Sequence, residues 1–307
     1  MLTSFFSKSK PVNTIVVIVY MSLGFIMANF SVSNKGFDVG RTLKLIGVWL
    51  LYIFTMFVLN FISQKNELTR RTSFKILLFA SFTLAFPNAL LNAEIIVTGV
   101  FIILAIRRVL SLRSGRHMER KLFDAALCIG FASLVFFWSY IYILVILVAL
   151  LYYGRSSWRY WIIPFLPFVA LSILTICYVL YIEADSSFII DFIDDNSFDF
   201  GQYSQIKLLL PIAFIISFFF WTIGSFLKES AAVSMALRPT YILVLVFALV
   251  ALLFVVVVPG KNGREWYIFA IPFAIMATSF FENASSKWIA EVLLWIIILL
   301  PFAHYFL

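Results

Sequence analysis

The chain has 307 residues, 63% of them hydrophobic and 12% charged, with 36 Phe and a mean hydropathy of +1.04. Soluble domains carry about 45–50% apolar and about 25% charged residues, so the polar side chains here cannot coat a globule of this length; soluble enzyme folds are excluded and lipid must solvate most of the chain. The formal charge of +8 sits in short basic clusters between apolar runs, which is how topology signals are distributed, and nucleic-acid binding is not expected.

A helix needs about 20 apolar residues to cross a bilayer. In chain order this predicts spans at 12–30, 45–63, 75–91, 94–110, 123–137, 138–153, 160–182, 208–227, 240–259, 265–281 and 288–306. The expected fold class is all-α, a polytopic transmembrane helical bundle of about 10–11 spans, in a single multi-pass membrane domain covering residues 1–307. The first span, preceded by Lys8 and Lys10 and followed by Ser31-Val32-Ser33, reads as a cleaved signal peptide or as the uncleaved anchor usual in multi-pass proteins; the anchor is expected. The run from Leu122 to Tyr153 is too long for one helix and barely long enough for two, which predicts two short helices meeting around Trp138 and Ser139. With the N-terminus in the cytoplasm, only Lys35, Arg41, Lys44, Lys207, Lys261 and Arg264 of the 23 basic residues lie on the outer face, so an N-in orientation is expected.

Several chemistries lack their residues. Cys128 and Cys177 lie inside apolar runs without partner spacing, so no disulfide framework or thiolate metal site is indicated. His117 and His304 are the only histidines, too few for mechanisms built on clustered imidazoles. There is no Walker-type loop, Gly-rich dinucleotide turn or nucleophile elbow, and no metal site is expected.

The remaining polar residues collect at four outer places. Asp38 sits between Lys35 and Arg41 in the loop of residues 31–44; it reads as a general base or metal ligand, or as a solvated acid paired with a neighbouring cation. Glu94 follows the hinge Pro87-Asn88 to Asn92-Ala93 and either faces a cavity or favours the N-terminal dipole of the fourth span. Residues 183–207 place Ile189, Phe192, Ile193 and Phe200 on one helical face and Asp191, Asp194, Asp195 and Asp199 on the other, which predicts an amphipathic outer helix on the membrane surface. Its acidic face is either solvated or a divalent-cation site. The turn from Pro259 to Tyr267 carries Lys261 and Arg264 on the side that usually avoids cations, as a turn holding a lipid-carrier phosphate would.

Three runs carry a family resemblance. NAEIIVTGVFIILAIRRVLSLRSGR from Asn92 resembles the stretch of GT-C integral membrane glycosyltransferases in which an outer polar motif leads into a helix ending in cytoplasmic arginines. KLFDAALCIGFASLVFFWSYIYILVILVALLYYGRSSWRYW from Lys121 resembles their following short helix pair, and GKNGREWYIFAIPFAIMATSFF from Gly260 is similar to their late outer loop and helix. The resemblance is one of layout and implies a minimal or degenerate member that moves a sugar from a polyprenyl-phosphate-linked donor at the outer face. It assigns catalysis to Asp38 with Glu94 as a second acid, and carrier-phosphate binding to Lys261, Arg264 and Tyr267. The opening MLTSFFSKSKPVN resembles a family of uncharacterised bacterial inner-membrane proteins, which implies that membrane as the location. Two other roles remain open: a non-catalytic membrane subunit that keeps a GT-C-like frame and binds a membrane protein partner, and a transporter, which would show matching halves and buried midplane charges.

Overall fold

A computed structural model describes residues 1–31, 39–154, 157–181, 199–284 and 286–306. Among the described residues every regular element is helical: α1 (Leu2–Phe6), α2 (Pro11–Ser31), α3 (Val39–Lys65), α4 (Phe74–Leu84), α5 (Pro87–Leu91), α6 (Ala93–Leu110), α7 (Met118–Val135), α8 (Ile143–Tyr153), α9 (Arg159–Ile162), α10 (Phe165–Tyr181), α11 (Ile206–Ala232), α12 (Arg238–Val257), α13 (Trp266–Asn283) and α14 (Lys287–Phe306). Short 3-10 turns at Ser111–Ser114, Phe137–Tyr142 and Gly201–Ser204 join or precede them. The fold is an all-α helical bundle. Among the described residues, six helical stretches are long and apolar enough to cross a membrane: Pro11–Asn29, Val39–Lys65, Ala93–Ser114, Arg159–Tyr181, Ile206–Ala232 and Arg238–Val257.

The predicted span 75–91 is two helices. Pro87 supplies no backbone N–H and crowds the residue before it, so α4 stops at Leu84, Phe86 leaves helical geometry, and α5 begins with the proline at its first position. The run from Leu122 to Tyr153 is likewise divided: Phe136 is extended and a 3-10 turn leads into α8. Of the predicted amphipathic helix at 183–207, residues 183–198 lie outside the described residues. The rest begins as irregular chain, passes through the 3-10 turn and enters α11 at Ile206.

The centre of the bundle is α4 against α13. Every residue of α4 is buried, and α13 is buried along almost its whole length. Both are largely apolar on every face, the pattern of a helix enclosed by other helices, with Lys75 near the start of α4 and Glu282 near the end of α13 as their charged residues. Phe82 stacks on Phe273 with ring centroids 4.5 Å apart, and Phe74 on Phe281 at 5.5 Å. Farther out, α2 exposes Val12, Ile15, Val19, Leu23 and Ile26, and α10 exposes Val169, Ile173, Leu174 and Leu180. Such faces suit hydrocarbon, because backbone polar groups in both helices are satisfied internally.

Polar ties divide the helix ends into two faces. On the face of the N-terminus, Leu2 N–H donates to Glu291 Oε1 at 2.6 Å and Tyr241 OH to Glu67 O at 3.1 Å. There Glu282 accepts from Arg70 N–H at 2.9 Å and from Thr72 Oγ1 at 2.6 Å. The opposite face gathers α5, the start of α6, the segment before α11 and the turn between α12 and α13, where Asn88 Nδ2 donates to Asn262 O at 2.7 Å.

Candidate functional site

Two neighbouring polar places occupy the opposite face, with α5 between them. The first is a cleft of about 430 Å³ lined by Asn29, Arg41, Lys44, Leu45, Val48, Leu90, Leu91, Asn92, Ala93 and Glu94. Its cations come from the first turns of α3 and its apolar floor from α3 and α5. Asn92 caps α6, its side-chain oxygen accepting from Ile95 N–H at 3.1 Å, so the cleft lies beside a helix N-terminus. Glu94, in that first turn, is exposed. Two cations beside a helix N-terminus and above an apolar floor can hold an anion that carries a hydrocarbon tail. Glu94 brings a carboxylate within the same lining, able to accept a proton from a hydroxyl presented there.

The second place is the 258–266 turn. Gly260 and Gly263 have φ of +61° and +95°, values that side-chain-bearing residues rarely adopt. Their conformations fold the turn so that Asn262 Oδ1 accepts from Arg264 N–H at 3.1 Å while Asn262 O receives Asn88. Glu265, at the mouth of α13, is fully buried. Its Oε1 accepts from Gly263 N–H at 3.1 Å and from the Tyr203 hydroxyl, which in turn accepts from Trp266 Nε1 at 3.2 Å. Glu265 Oε2 is buried without a hydrogen-bond partner, as is Arg264 Nε.

Aromatic rings complete this place. The Arg264 guanidinium lies 5.2 Å from the centre of the Phe136 ring, and Lys261 Nζ lies 4.6 Å from that of Phe200. Phe86 stacks on Trp266 at 5.6 Å. Lys261 is only 2% exposed. Burial pushes the Glu265 carboxyl above its ordinary value, opposed by its hydrogen bonds from Tyr203 and the backbone and by the Arg264 charge. Burial lowers the Lys261 ammonium, opposed by the charges of Glu265 and Asp199. The Tyr203 hydroxyl is raised by burial and then by the charge of Glu265.

The residues singled out in the sequence are thus distributed over both places. Glu94 lines the cleft, whereas Lys261 and Arg264 flank Glu265 in the turn. Tyr267 sits deeper, fully buried, with its ring 6.1 Å from that of Tyr52 and 6.0 Å from that of Phe79. Asp38 lies outside the described residues. Among the described residues no group of three or more His, Cys, Asp or Glu side chains is placed to hold a metal ion.

A family model matches residues 1–307 from end to end. The chain belongs to the family of unknown function DUF6427. No curated protein and no solved structure matches it. For this DUF6427 chain, sequence reasoning missed the Glu265–Tyr203 pair. A signal was present: an acid directly ahead of Trp266 and Tyr267, at the edge of an apolar run, stands where ionisable groups are costly and normally have partners. Its partner lies 62 residues earlier, beyond the reach of local pattern. Arg41 and Lys44 were legible as cations, but their convergence with Glu94 required the packing of α3 against α6.

Proposed function

We propose that the chain is a multi-pass protein of a bacterial inner membrane, N-terminus inside, that binds a polyprenyl-phosphate-linked sugar at its outer face and transfers the sugar to an acceptor. The observation that carries this reading is the cleft holding Arg41, Lys44 and Glu94 over Leu45, Val48, Leu90 and Leu91. The two cations and the α6 N-terminus bind the carrier phosphate, the apolar floor receives the first isoprene units, and Glu94, with Asp38, takes the proton of the acceptor hydroxyl. Stabilising the departing lipid phosphate is then the work of the same cations. Lys261 and Arg264 support the phosphate side of the site from across α5. The GT-C-like layout of the sequence agrees with this arrangement.

The test has two arms. Full-length protein in nanodiscs is titrated with a polyprenyl phosphate, comparing wild type with the Arg41→Gln/Lys44→Gln double variant. Loss of two charge-assisted contacts predicts weaker binding by about tenfold or more. Cells lacking the gene are then complemented with wild type, Asp38→Asn or Glu94→Gln at matched membrane levels and read out on outer-face glycoconjugates. Equal affinity of wild type and double variant, or an unchanged glycan profile in the deletion, refutes the reading.

The second reading is a non-catalytic subunit. It is favoured by the inward use of Lys261 and Arg264, whose charged groups rest on Phe200 and Phe136 and so hold the turn itself. In that case the deletion alters the level or assembly of a membrane partner and leaves glycans intact.

A further inference from the structure

Glu265 lines no part of the cleft, yet on the opposite face it is a buried carboxyl that ties together two segments distant in sequence. One is the 258–266 turn. The other is the strap at residues 199–206, which leads into α11 and includes the 3-10 turn Gly201–Ser204. The ties between them are the Tyr203 hydroxyl to Glu265, Trp266 Nε1 to that hydroxyl at 3.2 Å, and Lys261 against the Phe200 ring at 4.6 Å. The strap's own hydrogen bonds are short-range, Gly201 N–H to the Asp199 side-chain Oδ1 at 2.8 Å and Tyr203 N–H to Phe200 O at 2.9 Å. The side-chain ties are what reach from it to the turn.

We propose that Glu265 is a proton-binding site whose occupancy decides whether the 199–206 strap stays fastened over the 258–266 turn. The geometry supplies the reason. Oε1 has two donors, but Oε2 is buried with none, so a full negative charge there is poorly solvated while the strap is closed. A proton on Oε2 removes that charge and leaves Oε1 free to accept from Tyr203 and Gly263. When the strap lifts, water reaches the carboxyl and solvates the ionised form. Among the described residues, the charged and titratable groups acting on this acid are Tyr203 from the strap and Lys261 and Arg264 from the turn, with Asp199 of the strap acting in turn on Lys261. The hydrogen bonds from Tyr203 and the backbone and the Arg264 charge soften the penalty on the charged form, and burial outweighs them.

The direction of the pH effect follows. The closed state binds the proton more tightly than the open state, where the acid titrates at its ordinary value. Closure is therefore fully favoured at acid pH and weakens as pH rises through the closed-state value, by up to tenfold for each unit of separation between the two. Opening uncovers Lys261 and the Glu265 carboxylate to the aqueous side. The strap and its acid act independently of carrier binding, whatever occupies the cleft.

The experiment is hydrogen exchange of the full-length protein in nanodiscs, followed by mass spectrometry across a pH series, on peptides containing residues 199–206. Glu265→Gln keeps a neutral side chain of the same shape and cancels the intrinsic pH dependence of exchange when used as the reference. The ratio of wild-type to variant exchange is expected to be near one at acid pH and to rise at least several-fold with pH. A ratio that stays flat overturns the proposal, and so does a variant whose strap exchanges faster than wild type at every pH. Tyr203→Phe, which keeps the ring and deletes the hydroxyl, provides the second measurement should the Gln variant fold poorly. Its strap is expected to exchange faster than wild type at acid pH, where the hydroxyl tie is lost, and still to rise with pH, because ionised Glu265 then has one donor fewer while the strap is closed; a wild-type profile, or exchange that does not rise with pH, overturns the proposal.

Discussion

Replacing Gly263 by Ala tests the account of the 258–266 turn, because two independent effects act at one position. The first is backbone strain: φ is +95°, beyond the left-handed well near +50 to +70° where an L-residue costs roughly 1–2 kcal/mol. The second is space. An added Cβ would lie 3.0 Å from Leu208 Cδ2 and 3.2 Å from Phe86 Cδ1. Leu208 and Phe86 are both buried, and Phe86 is pinned by stacking on Trp266, so relief requires several groups to shift. Overpacking of this kind costs about 1–3 kcal/mol, which gives about 2–5 kcal/mol of destabilisation in all. The matched control is Gly47→Ala in α3, where nothing lies within 4 Å of the new Cβ and an alanine should be neutral or stabilising by roughly 0.5–1 kcal/mol. Thermal melts of both variants in the same nanodiscs provide the comparison. A Gly263→Ala protein that melts at or above wild type would refute the strained-turn reasoning.

Other consequences are equally open to measurement. Gly99→Ala places a Cβ 2.4 Å from Tyr267 Cε1 at the packing of α6 on α13, so a loss of about 1–3 kcal/mol is expected in the same melts; an unchanged melt would mean that the fully buried Tyr267 ring moves without cost. Glu291 accepts from Leu2 N–H at 2.6 Å, Thr3 N–H at 3.0 Å and Thr3 Oγ1 at 2.5 Å. Glu291→Ala should release α1 from α14, seen as faster proteolysis or exchange within residues 1–6 while the rest of the bundle keeps its protection. Asn88→Ala removes the tie to Asn262 O and should cost about 1 kcal/mol, with increased exchange at residues 260–264 as the signature; exchange equal to wild type would show that α5 does not support the turn.

The helical bundle was legible because apolar runs near the bilayer length admit little else, and each predicted segment contains a helix. Pro87 lay in plain view within the span predicted at 75–91, and its lack of a donor and clash with the preceding residue divide that span into α4 and α5. The cations of the 258–266 turn and Glu94 were legible as charged residues bordering apolar runs. Which helices occupy the centre was not. Helices as predominantly apolar as α4 and α10 look alike along the chain, yet α4 is wholly buried and α10 largely exposed, because lipid and protein interiors reward the same apolar side chains. The Glu265–Tyr203 pair and the convergence of Arg41, Lys44 and Glu94 also belong to tertiary structure alone. Hydropathy reports how much each segment prefers to leave water; it carries no information about which neighbour a polar group meets there, and that is decided by how the helices pack.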